Sequence, residues 1–192
     1  MQAMVLHRPN TPLVLEDRPL PKPAAGMVRV KVEACGVCRT DLHVVDGDLS
    51  DVRLPIVPGH EIVGMVEACG SGVRDLGIGQ RVGIAWLGST CGACAYCRAD
   101  AENLCDHPVF TGHGRDGGFA THALADARYA FPLDAEADPV ALAPLLCAGL
   151  IGWRTLAKAG DAQNLGIYGF GAAAHIIAQV ARAQGRAVYA FT

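Results

Sequence analysis

Four of the eight cysteines fall within fifteen residues, at Cys91, Cys94, Cys97 and Cys105, spaced C-x2-C-x2-C-x7-C. Four thiolates form a complete tetrahedral set for zinc, and the short steps let neighbouring sulfurs reach one ion without strain. A closed site of this kind contributes folding energy rather than reaction chemistry. An iron–sulfur cluster is the competing reading, because C-x2-C-x2-C also begins ferredoxin runs, but no second run is present and the proline typical of those runs is missing. Disulfides are disfavoured, since 192 residues that are 51% hydrophobic can build a core without staples. In a reducing compartment a tight cluster of four points to metal first.

A second set is scattered. It comprises Cys38 in Cys35-Gly36-Val37-Cys38-Arg39-Thr40-Asp41-Leu42-His43, His60 in Gly59-His60-Glu61, and Cys147 in Leu146-Cys147-Ala148. Two cysteines and a histidine are one recognised ligand set for catalytic zinc, which keeps its fourth position open. Nothing local brings these three together, and each cysteine alone reads as a small buried apolar residue. Cys35 and Cys38 also mimic a C-x-x-C redox pair, but they follow a strand in a β-rich region instead of opening a βαβ unit. His7, His107, His113, His122 and His175 lack comparable surroundings. His107 lies close enough to Cys105 to compete for the clustered site, which four thiolates already complete.

The third constellation is Gly169-Phe170-Gly171-Ala172-Ala173-Ala174, between the apolar run Leu165–Tyr168 and a helical stretch. Gly169 allows a tight turn, Gly171 lets a pyrophosphate approach the backbone, and Ala174 replaces the usual third glycine. The helix N-terminus then faces the phosphates.

The elements that must carry these residues change character along the chain. Short strands are expected at Ala3–Leu6, Leu13–Asp17, Met27–Ala34, Ile62–Cys69 and Arg81–Ala85. Val28, Val30 and Val32 alternate with Arg29, Lys31 and Glu33, the mark of a half-buried strand. Residues 88–118 read as a loop rich in Gly and Cys. Asp138–Ala159 carries apolar residues at helical spacing, with Asp138-Pro139 suited to its start. Leu165–Tyr168, a helix over Ala172–Gln184 and Ala187–Phe191 make one βαβ unit. The expected architecture is a mainly β barrel over residues 1–160, followed by the opening of an α/β dinucleotide-binding domain over 161–192. One βαβ unit cannot complete a doubly wound sheet, so that second domain is expected to be cut short.

Composition narrows the function. Sixteen basic and nineteen acidic residues give a net charge of −3 with no basic stripe, which disfavours nucleic acid as a partner. No apolar stretch approaches the ~20 residues of a membrane span. A cytoplasmic location is expected.

Taken in order, Cys38-x-Thr40-Asp41-x-His43, Gly59-His60-Glu61, the four-cysteine loop, Cys147 and Gly169-x-Gly171-x-x-Ala174 resemble the zinc-dependent medium-chain alcohol dehydrogenases over essentially the whole chain. The resemblance implies a GroES-like catalytic domain followed by a Rossmann domain. It implies two zinc ions: a catalytic one on Cys38, His60 and Cys147, and a structural one on Cys91, Cys94, Cys97 and Cys105. Asp41 would orient His60 from behind, and Glu61 would be the carboxylate that can approach the metal. Zinc would lower the pKa of an alcohol so that hydride can pass to NAD or NADP, while Thr40 and His43 relay the proton outward. Trp86 resembles the bulky wall of the alcohol pocket, and Arg39 a residue that pairs with the coenzyme pyrophosphate. Thr192 stands where the ribose-binding acid is usual, which leaves NAD and NADP both open.

The activity implied is alcohol–aldehyde or alcohol–ketone interconversion on a small molecule, by a full-length form that is a homo-oligomer. The alternatives are an NADPH-dependent aldehyde reductase or a polyol dehydrogenase of the same family, or a zinc-binding fragment without turnover. Polyol enzymes more often replace the third ligand by a carboxylate, so Cys147 favours simple alcohols. The 192 residues alone are expected to be inactive.

Overall fold

The structure, a computed structural model, describes all residues from Met1 to Thr192. Its centre is a five-stranded antiparallel sheet in the order β8–β3–β4–β5–β9, formed by β3 (Met27–Gly36), β4 (Glu61–Cys69), β5 (Arg81–Ile84), β8 (His122–Asp126) and β9 (Ala130–Pro132). The alternation in β3 sends Val28 and Val30 inward, while Arg29 reaches across to Glu67 at 3.0 Å. Val66, Ile62, Val82, Ile84, Ala123 and Ala125 complete the core face. Each fully buried Val or Ile is worth about 1.5–3 kcal/mol over its exposed state, so this face anchors the domain.

The sheet also positions chemistry. A bulge between Val32 and Ala34 bends the end of β3, and Gly36 there pairs with Glu61 at the start of β4. The residues just beyond that pair, Cys38 on one side and His60 on the other, therefore leave the same edge together.

A helix that strand patterning did not anticipate follows at once, α1 (Arg39–Asp46). Asp41 in its first turn accepts from the Cys38 amide at 2.8 Å, and Gly47 ends it with φ 75°. Two small hairpins flank the sheet: β1 (Gln2–Val5) with β2 (Val14–Asp17), and β6 (Leu87–Ser89) with β7 (Val109–Phe110). The second closes the stretch read as loop, which also contains 3₁₀ turns at Cys97–Ala99 and Glu102–Leu104. Strands β8 and β9 likewise carry no sequence pattern that predicts them.

The helical run Asp138–Ala159 is not one helix. It divides into α2 (Pro139–Leu142), a 3₁₀ turn (Ala143–Leu146) and α3 (Ala148–Lys158), with a 53° bend at Cys147. Pro144 removes one amide donor, and Cys147 takes non-helical angles of φ −128° and ψ −75°. Apolar periodicity survives such a break, which is why the pattern concealed it.

The C-terminal part pairs β10 (Asn164–Tyr168) with β11 (Ala187–Phe191) in parallel, joined by α4 (Ala172–Ala183). Leu156 of α3 packs with Leu165 and Ala181, so α3, which ends just before the expected boundary at residue 160, rests on the C-terminal part. No single helix is long and apolar enough to cross a membrane.

Candidate metal centres

In the loop between β6 and β7 the four sulfurs converge. Cys91 lies 3.9 Å from Cys97 and 3.5 Å from Cys105, and Cys94 lies 3.5 Å from Cys97. A disulfide would bring two sulfurs to about 2.05 Å. Four sulfurs arranged tetrahedrally at ~2.3 Å from one ion sit ~3.8 Å apart, which matches. Backbone amides also converge on the sulfurs: Ala93 and Cys94 donate to Cys91 at 3.5 and 3.4 Å, Cys97 to Cys94 at 3.4 Å, and His107 to Cys105 at 3.3 Å. Such donors suit thiolate. The amides of Asp106 and Cys97 hold Cys94 down to about 6, and those of Ala93 and Cys94 lower Cys91. Desolvation and neighbouring sulfurs push Cys97 up to about 11. Amide donors favour thiolate while crowded sulfurs oppose it, so the donor set fits one divalent metal cation that offsets the repulsion. His107 contributes its backbone amide here, not its ring.

The scattered set also meets. Ligand atoms of Cys38, His60, Glu61 and Cys147 all lie within 4.8 Å of one another, and the Cys38 and Cys147 sulfurs are 3.7 Å apart. Asp41, itself buried, organises them. Its Oδ1 accepts from His60 Nδ1 at 2.8 Å and from the Gly59 amide at 3.1 Å, while Oδ2 takes the Cys38 amide. With Nδ1 engaged, His60 turns Nε2 toward the sulfurs.

That Nε2 is fully buried and has no hydrogen-bond partner. A buried polar atom left unpaired costs about 1–3 kcal/mol, which a metal bond would offset. Burial opposes charge on His60, but Asp41 and Cys147 outweigh it and hold the imidazole up to about 10. Burial likewise opposes the Cys38 thiolate, yet the Thr40 amide, Cys147 and His60 lower its pKa. Cys147 is raised: His60 lowers it, but burial and the Cys38 sulfur prevail. Burial raises Glu61. Two sulfurs and one orphaned imidazole nitrogen around a common point are the donors of a Cys2His metal site.

Residues 24–135 match the alcohol dehydrogenase GroES-like domain family. The chain belongs to the zinc-dependent medium-chain alcohol dehydrogenase family. It is 46% identical over 203 residues to the Mycobacterium tuberculosis protein named "Probable alcohol dehydrogenase AdhA", covering 100% of this chain and 59% of that one. Against an alcohol dehydrogenase of Geobacillus stearothermophilus it is 42% identical over 193 residues, covering 99% and 57%. Among solved structures, the cobalt- and zinc-bound thermostable alcohol dehydrogenase of Pyrobaculum aerophilum superposes with a TM-score of 0.90 at 28% identity, covering 100% and 59%. The chain thus spans somewhat over half the length of these relatives. The fold is that of the family, a GroES-like β domain followed by the first βαβ of a Rossmann domain.

The remaining residues singled out from the family pattern fall in three places. Trp86 lies edge-on to His60 with ring centroids 5.0 Å apart. Phe110 stacks on Trp86 at 5.0 Å, and His113 meets Trp86 at 5.8 Å. Phe110 and His113 were missed because only the pairing of Leu87 with Phe110 across β6 and β7 brings them there, and no local spacing reports it.

At the start of α1, the Thr40 hydroxyl lies 3.9 Å from the Cys38 sulfur, and His43 Nδ1 is 2.7 Å from Asp48 Oδ2. No hydrogen bond joins Thr40 to His43. Arg39 is exposed and forms no ion pair. Cys35 stays out of both arrays; desolvation pushes its partly buried thiol up to about 12, which suits an inert group.

The third place is the turn after β10. Gly169 has φ +82°, a conformation that favours glycine, and Gly171 caps α4 in extended conformation. A Cβ added at either would meet no atom within 4 Å, so both face open space where a ligand can approach. Ala174 is buried beneath them and Thr192 is exposed at the end of β11.

Proposed function

We propose that this chain is the substrate-activating part of an NAD(P)-linked oxidoreductase that interconverts alcohols with aldehydes or ketones by hydride transfer. One observation carries the reading: a buried, unpartnered His60 Nε2 directed at two cysteine sulfurs 3.7 Å apart. Cys38, His60 and Cys147 would hold the catalytic zinc, and Cys91, Cys94, Cys97 and Cys105 the structural one. The catalytic ion supplies Lewis acidity, which acidifies an alcohol and polarises a carbonyl.

The protein's own groups do the rest. Asp41 keeps the Nδ1 proton on His60 and so fixes the tautomer that leaves Nε2 free. The rings of Trp86 and Phe110 line the approach to His60, exclude water and limit substrate width. Thr40 takes the hydroxyl proton beside Cys38 and passes it, through an intervening hydroxyl or water, to His43, which is held by Asp48 and delivers it to solvent. The open turn at Gly169 and Gly171 receives the coenzyme pyrophosphate at the N-terminus of α4, with Arg39 as a further basic contact. Thr192 leaves the ribose site without a carboxylate, so NADPH is not repelled; a Helicobacter pylori relative with TM-score 0.90 and 26% identity is described as complexed with NADP(H). Cys147 as third ligand favours simple alcohols over polyols. We place the protein in the cytoplasm, with a small-molecule substrate and, at the relatives' full length, as a homo-oligomer.

The test uses a chain of the relatives' full length. Its oxidation of ethanol through benzyl alcohol with NAD or NADP should vanish in His60→Ala, with the fold retained. Undiminished turnover in that variant would contradict the reading.

A further inference from the structure

The segment Val57-Pro58-Gly59-His60 is held from two sides. Asp41 takes one side. Along the other runs Asp116-Gly117-Gly118-Phe119, a stretch between β7 and β8 that supplies no ligand. The Gly117 amide donates to Val57 O at 2.7 Å, the Phe119 amide to Pro58 O at 3.0 Å, and the Gly118 amide to Gly59 O at 2.9 Å. Asp116 Oδ1 accepts from the Val57 amide at 2.9 Å. Every residue of the three before His60 is thus bonded to this stretch.

The packing is as close as the bonding. A Cβ on Gly117 would collide with Gly59 O and lie 2.8 Å from Pro58 O, and one on Gly118 would lie 2.8 Å from the Cys35 sulfur. Gly59 itself has φ +99°, and a Cβ there would lie 2.6 Å from Phe119 Cδ1. The residue before His60 is therefore boxed between backbone and an aromatic ring. The stretch is anchored in turn by the Met4 amide, which donates to Phe119 O at 2.8 Å, while the exposed 3.5 Å contact of Arg18 Nη1 with Asp116 Oδ2 adds little.

Metal–ligand distances tolerate only about 0.2 Å. Asp41 sets the tautomer of the His60 ring and ties the Gly59 amide to the Cys38 amide on one side, but the carbonyls of Val57, Pro58 and Gly59 are held from the other side, by the Asp116–Phe119 stretch. We propose that Asp116–Phe119 is a positioning strap that fixes the depth of His60, and thereby the metal affinity of the Cys38–His60–Cys147 centre, without touching the metal. This rests on the metal-site reading above. The glycines are required because any side chain would push Gly59, and with it His60, out of reach.

The experiment follows zinc release from the purified 192-residue chain to a colorimetric chelator, where the four-cysteine centre serves as an internal control. Gly117→Ala should weaken zinc at the His60 centre by ~10–100-fold, the range for groups that orient ligands, and leave the four-cysteine zinc unchanged. Asp116→Ala should act in the same direction by less. Asp116→Asn keeps an acceptor for the Val57 amide and should restore wild-type release, and Arg18→Ala should match wild type. If Gly117→Ala does not fold, the Asp116 pair decides. Equal loss from both centres, unchanged release in Gly117→Ala and Asp116→Ala, or Asp116→Asn behaving like alanine would overturn the strap alone. A wild-type chain that holds a single zinc would overturn the metal-site reading, and the strap with it.

Discussion

At the scale of single residues, the two centres handle protons differently. Cys94 is held down to about 6, so part of the four-cysteine array is already thiolate at neutral pH. His60 is held up to about 10 in the metal-free protein by Asp41 and Cys147 against the effect of burial. A raised folded pKa stabilises the metal-free fold fully below the usual imidazole value near 6.5 and loses that contribution as pH rises through about 10. Metal must displace the same proton. Zinc uptake at the His60 centre should therefore release protons at pH 7 and tighten as pH rises toward 10. Titration calorimetry in buffers of different ionisation enthalpy reads this directly; pH-independent uptake without proton release would refute it. Asp41→Ala should weaken zinc there by ~10–100-fold, because the tautomer is no longer fixed. Thr40→Ala and His43→Gln, in a full-length chain, should slow turnover by on the order of 10²-fold or less while zinc content stays constant, because water partly replaces a lost relay step. Wild-type rates in both would remove the relay.

At the scale of elements, the legible parts were those whose signal is local. The alternation of Val28, Val30 and Val32 located β3, and Gly169-x-Gly171 between an apolar run and a helix located the β10–α4 turn. The clustered cysteines were legible for the same reason. What stayed hidden depends on distant pairing. The eight-residue α1 is too short for periodicity to stand out, although Asp41 and Gly47 mark its ends. Cys147 reaches the site through a bend that two apolar half-helices disguise. Meeting of Cys38, His60 and Cys147 follows from the Gly36–Glu61 register and that bend, neither of which spacing encodes; family resemblance alone had grouped them. The β6–β7 hairpin is the same case, since it alone brings Phe110 onto Trp86. If these rings form one wall, Trp86→Ala should shift preference toward bulkier alcohols, and Phe110→Ala should do so more weakly by loosening Trp86. An unchanged chain-length profile in Trp86→Ala, with the fold intact, would show that the ring only packs.

At the scale of the whole molecule, both candidate metal centres lie within the residues present, whereas the coenzyme turn stands on a two-stranded parallel sheet. Tyr168, Tyr189 and Phe191 on that sheet and Trp153 on α3 are exposed. Dinucleotides bind across a crevice between two such halves, and hydride transfer requires the nicotinamide at near-attack distance. The 192 residues alone should therefore hold zinc yet bind NADH and NADPH weakly and turn over no alcohol. Saturable micromolar coenzyme binding with turnover would contradict this.

We propose that one chain builds two chemically distinct zinc centres, one of which depends on His60. Elemental analysis of the purified protein and its His60→Ala variant tests it most directly. Two zinc ions per wild-type chain are expected, and one in the variant, which remains folded. One zinc in the wild type, two in His60→Ala, or iron with an iron–sulfur absorbance band would contradict it.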